Sequence, residues 1–511
     1  MCARPNKHWL ICTHFHCSSQ TFDKPLSSKP LDGAPDHSIR QPASESSGSV
    51  SYRSVAATAA LLSLASAQNT YSIDSDDAIK KSASQMAEDL LKHYHGDEPG
   101  QVPGILPGPP PAGPYYWWIG GAMWGTLIDY WHVTGDTTYN DRTMQAMQFQ
   151  VGENKAYMPN NYTASLGNDD QGFWGMSAML AAEVKFPDPP SDKPSWLGLA
   201  QAVWNTQASP SRHDTDCNGG LRWQIPFANN GYDYKNAIAN GIFFNMGARL
   251  ARYTGNTTYS DWAEKTFDWV TGVGYIDAET HAIYDGGHVE HNCTDINKVE
   301  FSYNNAVYLQ GCAFMYNHTE GAQKWKTCVD GLLKHGLEHF FPENDIAYEP
   351  ACEGVKTCTT DMLSFKGYMH RWYAASAQMA PYIADKVMPV LRKSAAACIK
   401  QCSGGDGGRQ CGFYWQSGAW QAPDPPNSGA AQQMDAVAAM VSLLYPNAKP
   451  AVTADTGGTS KSDPSAGVGQ ANAYHKDPRP ITTADRAGAG IITFVLLSAA
   501  LGMFGWMSVG K

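Results

Sequence analysis

The stretch Thr134-Gly-Asp-Thr-Thr-Tyr-Asn-Asp141 recurs as Thr254-Gly-Asn-Thr-Thr-Tyr-Ser-Asp261. Each copy follows a segment with helical apolar periodicity and precedes another, so each reads as helix, tight turn, helix. Working outward, six long apolar segments rich in Gly, Ala and aromatics succeed one another: Tyr116 to Trp131, Gln171 to Val184, Ala237 to Tyr253, Tyr303 to Tyr316, Phe365 to Ala380 and Ala430 to Leu444. They recur at roughly 50 to 70 residues, which suits a helical hairpin plus a functional loop better than a simple solenoid repeat. Strand-like alternation is scarce. The pattern predicts an all-α domain over residues 69–450, an (α/α)6 toroid of six helical hairpins with these segments as its inner helices. Loops at one end would form a cleft. An irregular helical bundle is the competing architecture, and the repetition disfavours it.

The 511 residues are 43% hydrophobic and only 17% charged, with 16 Trp and 25 Tyr, enough for a sizeable core. A formal net charge of −11 argues against nucleic acid, because phosphate binding needs a basic face. Many aromatics with few charges suit carbohydrate, whose apolar ring faces stack on flat side chains.

Two apolar segments bear on compartment. Val55 to Ala67 is too short to span a bilayer and ends in the small-x-small sequence Ala65-Ser-Ala67, so residues 55–68 read as a signal peptide. The polar stretch 1–54 is too long for an ordinary n-region. It reads as an incorrect gene start or an unremoved exon and is set aside from the fold. Residues 487–511 are apolar almost to the end, behind a polar spacer from His475 to Arg486 and small residues such as Gly469, Ala471, Asn472 and Ala473. Small site, spacer and hydrophobic tail form the signal for a glycolipid (GPI) anchor. A single membrane-crossing helix is the alternative. Residues 451–486, rich in Gly, Ser, Pro and Thr, read as a flexible stalk carrying the attachment region.

Setting aside Cys2, Cys12 and Cys17 leaves nine cysteines, an odd number. Cys312, inside an apolar run, is the expected free thiol, and the close pair Cys352 and Cys358 is the expected disulfide. Asn161, Asn256, Asn292 and Asn317 begin glycosylation sequons.

The chemistry is carried by Asp169 and Asp170, in Leu166-Gly-Asn-Asp-Asp-Gln-Gly-Phe-Trp-Gly175. Glycosidic bonds are usually broken between two acidic side chains. Neighbouring residues diverge on a regular helix, so both acids can address one substrate only from an open first turn or the loop before it. Helix capping alone is the plainer reading of such a pair. Two close carboxyls cannot both ionise freely, so one becomes a proton donor near neutral pH.

Asn168-Asp-Asp-Gln-Gly-Phe-Trp-Gly175, Ile283-Tyr-Asp-Gly-Gly-His-Val-Glu-His-Asn-Cys293, Phe301-Ser-Tyr-Asn-Asn305 and Phe365-Lys-Gly-Tyr-Met-His-Arg371 resemble, in that order, the fungal cell-wall mannan endo-1,6-α-mannosidases of glycoside hydrolase family 76. The resemblance covers most of residues 72 to 445 and extends to the family's GPI-anchored fungal branch. It implies an (α/α)6 fold and a retaining mechanism with Asp169 as nucleophile and Asp170 as acid/base. It also implies cell-wall assembly, in which the mannose-containing glycan of GPI proteins is processed or transferred to wall polysaccharide such as β-glucan. No cofactor or metal is expected.

Five further residues are candidate substrate contacts. Trp174 either floors a sugar subsite or belongs to the core. Asp285 either binds mannose hydroxyls or stabilises its own turn. Asn304, Lys366 and Arg371, near the starts of inner helices, either line the cleft or cap it. Gly219, Gly220 and Trp223 resemble a family loop of unassigned role. Two rival classes stand beside the glycosidase: a zinc protease through His335, Glu338 and His339, which match His-x-x-Glu-His, and a catalytically silent GPI-anchored glycan-binding protein.

Overall fold

In the computed structural model, residues 71–405, 407–420, 429–469 and 481–509 are described. The expected extension (1–54), the signal segment (55–68) and Ala471 to Ala473 of the attachment region lie outside them.

The small and aromatic residues of the six apolar segments place them where no face meets water. They form α2 (Trp117–Thr134), α4 (Asn168–Glu183), α6 (Ala237–Thr254), α8 (Ser302–His318), α10 (Phe365–Met379) and α12 (Ala430–Ser442). Nearly every residue of α4, α6 and α12 is buried, as expected of a helix apolar all round. Each packs on the next, and α12 returns to α2 to close the ring. The outer helices are α1 (Asp76–Leu91), α3 (Asn140–Phe149), α5 (Trp196–Gln207), α7 (Thr257–Gly272), α9 (Gln323–Phe340) and α11 (Ala384–Lys400). Most present a narrower inward stripe, such as Ile79, Ala83, Met86 and Leu90 on α1. This is the predicted (α/α)6 toroid.

The repeated turn motif works as its sequence suggests. Gly135 and Gly255 end α2 and α6 with φ of 77° and 69°, a left-handed geometry that a side chain disfavours. Asp136 and Asn256 then accept the backbone N–H of Thr138 and Thr258 at 2.9 and 3.0 Å.

Two expectations need correction. Cys312 is not free: α8 and α9 pack so that it meets Cys328 in a disulfide, and the thiol left over among the described residues is the buried Cys398. Cys352–Cys358 is bonded as expected, and Cys217–Cys293 and Cys402–Cys411 are the other described pairs. The stretch from Ala451 to Gly469 is not a loose stalk. The N–H groups of Val452 and Ala454 donate to the carbonyls of Glu183 and Tyr253, at the ends of α4 and α6. Further on, Ser460 Oγ accepts Leu197 N–H at 2.9 Å, and Asn205 donates to the Ala466 carbonyl at 2.8 Å. Polar composition suggested flexibility, but here the segment satisfies helix-end carbonyls that would otherwise lack donors. Helix α13 (Thr483–Val509) has no buried residue, and its 27 residues are long and apolar enough to cross a membrane.

Candidate active site

The first turns of α2, α4, α6, α8 and α10 and the loops before them meet in pairs: Asn236 with Asp169, Tyr303 with Phe365, and Asp361 with Trp118. Gly167 is the N-cap of α4, and its backbone is clamped by the loop that follows α5: Trp223 O accepts Asn168 N–H at 2.8 Å, and Gly167 bridges to Gln224. A Cβ on Gly167 would collide with Asp169 Oδ1 and also crowd Asp170 Oδ2. The two carboxyls therefore share the space that glycine leaves open. Asp170 Oδ2 accepts Gly167 N–H at 2.7 Å, so the capping expected of this pair is present alongside any chemistry.

A short antiparallel pair, β1 (Tyr234–Asn236) and β2 (Gly286–His288), supplies the next wall. Asn236, the N-cap of α6, donates to Asp169 Oδ2 at 3.1 Å. Asp285, just before β2, accepts from the Tyr234 hydroxyl at 2.8 Å and the Asn297 amide at 3.3 Å. These bonds reach well beyond its own turn.

A fourth carboxylate was not anticipated. Asp361 lies in the loop before α10, takes a hydrogen bond from Trp118, and has one oxygen, Oδ1, with no protein partner. Asp169, Asp285 and Asp361 all act electrostatically on Tyr303, which stacks on Phe365 at 3.9 Å. Asp361, Asn236 and Tyr303 share a position with Asp169, each being a polar residue just before, or at the first turn of, an inner helix.

Burial governs the protonation of this group. Desolvation raises Asp169 from its ordinary 3.8 to about 7, against the Asn236 hydrogen bond, and the Asp361 charge adds to the rise. Asp170 is raised well above the usual carboxylate range by desolvation first and then by the charge of Asp169. Ionisation of one acid therefore disfavours ionisation of the other, and burial favours a shared proton on the pair. Asp361 itself is pushed up to about 7 by burial.

Four of the five substrate candidates are closed off from solvent. Trp174 is fully buried, stacked between Trp117 at 5.2 Å and Tyr157 at 5.4 Å, so it is a core residue. Lys366 is enclosed by Glu353 at 2.6 Å and the Phe413 carbonyl at 2.7 Å. Arg371 turns into the ring to pair with buried Asp129 at 2.5 Å. Isolated ions in such surroundings are too costly to leave unpaired, which is why both cations point inward to carboxylates. Asn304 is also closed off from solvent, though its side-chain amide has no protein partner. Only Asp285 of the five stands among the paired acids' neighbours. The loop glycines are backbone acceptors: Lys235 Nζ binds the carbonyls of Gly219 at 2.7 Å and Gly220 at 3.1 Å.

The protease constellation does not form as its sequence pattern requires. Glu338 is exposed, and the carboxylate that meets His335 and His339 is Glu300, from another segment.

Comparison with known proteins gives a consistent answer. The profile of glycosyl hydrolase family 76 matches residues 78–455. Mannan endo-1,6-alpha-mannosidase DCW1 of Eremothecium gossypii is 41% identical over 458 residues, spanning 89% of this chain and 98% of the relative. Among solved structures, Dfg5 from Chaetomium thermophilum in complex with glucosamine is 60% identical, with a TM-score of 0.76 over 78% of this chain and 97% of that one. An alpha-1,6-mannanase of a Salegentibacter species, 15% identical, has the same fold with a TM-score of 0.57 over 72% of this chain and 99% of that one. Its structure is of an inactive variant with two consecutive aspartates changed to asparagine, in complex with alpha-1,6-mannotriose.

Proposed function

The chain belongs to glycosyl hydrolase family 76, and from that premise we propose that it is a mannan endo-1,6-α-mannosidase of fungal cell-wall biogenesis, a retaining enzyme with Asp169 as nucleophile and Asp170 as acid/base. The observation that carries the assignment is the pair of adjacent buried carboxyls at the open first turn of α4, Asp169 held by the Asn236 amide and Asp170 by Gly167 N–H. The Asn236 hydrogen bond favours the carboxylate form of Asp169, and burial beside that charge favours a proton on Asp170.

In the first step Asp169 attacks C1 of the mannose. The bond from C1 to the leaving oxygen breaks as Asp170 gives that oxygen its proton, and a glycosyl ester on Asp169 forms. In the second step an acceptor hydroxyl attacks C1, Asp170 takes its proton, and the ester bond to Asp169 breaks. Two inversions retain the α configuration. Asp285 and Asp361 offer acceptor oxygens to sugar hydroxyls, and a carboxylate is also suited to a sugar ammonium, in keeping with the glucosamine bound to the Chaetomium relative.

The acceptor decides whether the outcome is hydrolysis or transfer. We assign transfer, from α-1,6-mannan or the mannose-containing glycan of GPI proteins to a wall polysaccharide such as β-glucan. The enzyme would be secreted and held by a GPI anchor at the outer face of the plasma membrane and in the wall. The apolar C-terminal helix and the exposure of Asn161, Asn256, Asn292 and Asn317 are in keeping with this location. The test is incubation with a labelled α-1,6-linked mannoside, with and without β-glucan oligosaccharide. Label should enter the glucan in an α linkage; release of free mannosides alone, at any glucan concentration, would leave a plain hydrolase.

A further inference from the structure

Glu300, His335 and His339 form a cluster for which the glycosidase chemistry has no use. The two histidines lie four residues apart on α9, with rings stacked at 5.2 Å. Glu300 comes from the segment leading into α8. Its Oε2 meets His335 Nε2 at 2.6 Å, and its Oε1 lies 3.7 Å from His339 Nε2. One donor atom from each of the three falls within 4.8 Å of the others. A simple ion pair would account for one histidine. It does not account for a second imidazole directed at the other oxygen of the same carboxylate.

We propose that Glu300, His335 and His339 bind one divalent transition-metal ion of the zinc class, with water completing its coordination. Two imidazoles one helical turn apart and a single carboxylate are a common zinc ligand set, and nitrogen donors disfavour magnesium and calcium. Donors around a tetrahedral zinc stand about 3.3 Å apart at the usual bond lengths of about 2.0 to 2.2 Å. Small side-chain rotations bring these three atoms to that spacing. Side-chain exposures of 15% for Glu300, 15% for His335 and 36% for His339 leave an outward side for water.

The ion pins the entry of α8 to α9. Glu300 stands three residues after Asn297, whose amide holds Asp285 and whose carbonyl accepts Asp285 N–H at 3.0 Å. The following residue, Phe301, is the N-cap of α8, and Tyr303 is in its first turn. A metal clip here steadies the wall of the cleft that carries Asp285 and Tyr303.

The test uses the intact protein, purified, stripped with a chelator, and titrated with zinc chloride by calorimetry and metal analysis. One equivalent should bind, raise the Tm, and slow amide hydrogen exchange across residues 294–301. His339→Ala, at the most exposed ligand, and the near-isosteric Glu300→Gln should each remove that equivalent, weakening binding by at least the roughly 10- to 100-fold that loss of even a supporting partner costs a metal site. Circular dichroism establishes that both variants are folded. Magnesium and calcium should leave the Tm unchanged. No bound zinc at micromolar free metal, or full stoichiometry retained in both variants, overturns the proposal.

Discussion

Asn236 donates its side-chain amide to Oδ2 of Asp169 at 3.1 Å, so the N-cap of one inner helix orients the acid that opens another. The bond favours the carboxylate over the acid and opposes the desolvation that raises Asp169. Packing of α6 against α4 brings the two residues together across 67 positions of sequence.

The first prediction concerns the division of labour between the paired acids. Asp169→Asn should abolish turnover of every mannoside, because no covalent bond can form. Asp170→Asn should spare donors with an activated leaving group in the first step, and added azide should raise their turnover by replacing the acceptor that needs a base. Steady-state rates with an aryl α-mannoside and azide check this. Azide rescue of the Asp169 variant, giving a product of retained anomer, would mean that the roles lie the other way round.

The pH dependence follows from Asp361. The acid limb of kcat/KM should report ionisation of Asp169, near 7 in the free enzyme, and the alkaline limb the loss of the Asp170 proton. The Asp361 charge raises both acids, so Asp361→Asn should move both limbs to lower pH, by up to about 1 pH unit. An unchanged profile would place Asp361 outside the electrostatics of the pair.

The same burial sets a stability signature. Asp169 has a folded pKa of about 7, above its ordinary 3.8, so the group's stabilising contribution is complete below about 3.8 and is lost as pH rises through about 7. Asparagine cannot ionise and escapes that loss. Asp169→Asn should match the parent in urea unfolding near pH 4 and exceed it near pH 8, by on the order of a few kcal/mol. A variant less stable than the parent at the higher pH would show that the site is not strained by its charge.

Trp174 and Arg371 should behave as framework residues. Trp174→Ala should cost about 3 to 5 kcal/mol by opening a cavity between Trp117 and Tyr157. Arg371→Met should cost about 3 to 5 kcal/mol by stranding buried Asp129. KM for the folded fraction should hold in both. A raised KM at parental stability would return either residue to the cleft.

The inner helices were legible because a helix buried on every side needs small and aromatic residues all round, a composition that the six apolar segments carry. The turns were legible because Gly135 and Gly255 each meet a local backbone requirement. The paired acids stood out for their adjacency. What the sequence could not give is direction. On a helix buried all round, periodicity does not mark the cleft-facing side, so Trp174, four residues after Asp170, could not be assigned to core or cleft. Asp361 and Asn236 join the site only through the packing of segments distant in sequence, which no local pattern encodes. Cys312 found its partner on a neighbouring helix, and the segment after Ala451 found hydrogen-bond partners at the ends of α4 and α6, where composition alone suggested a free chain.

The most direct test of the account is to trap the glycosyl-enzyme. The protein is incubated with an activated fluorinated α-mannoside that forms the ester faster than it is released, then digested and sequenced by mass spectrometry, with the anomer of the natural product followed by NMR in parallel. The account predicts one sugar adduct per chain, on Asp169, abolished in Asp169→Asn, together with a product that first appears as the α anomer. A β anomer with no adduct, or an adduct on Asp170 or Asp361, would contradict it.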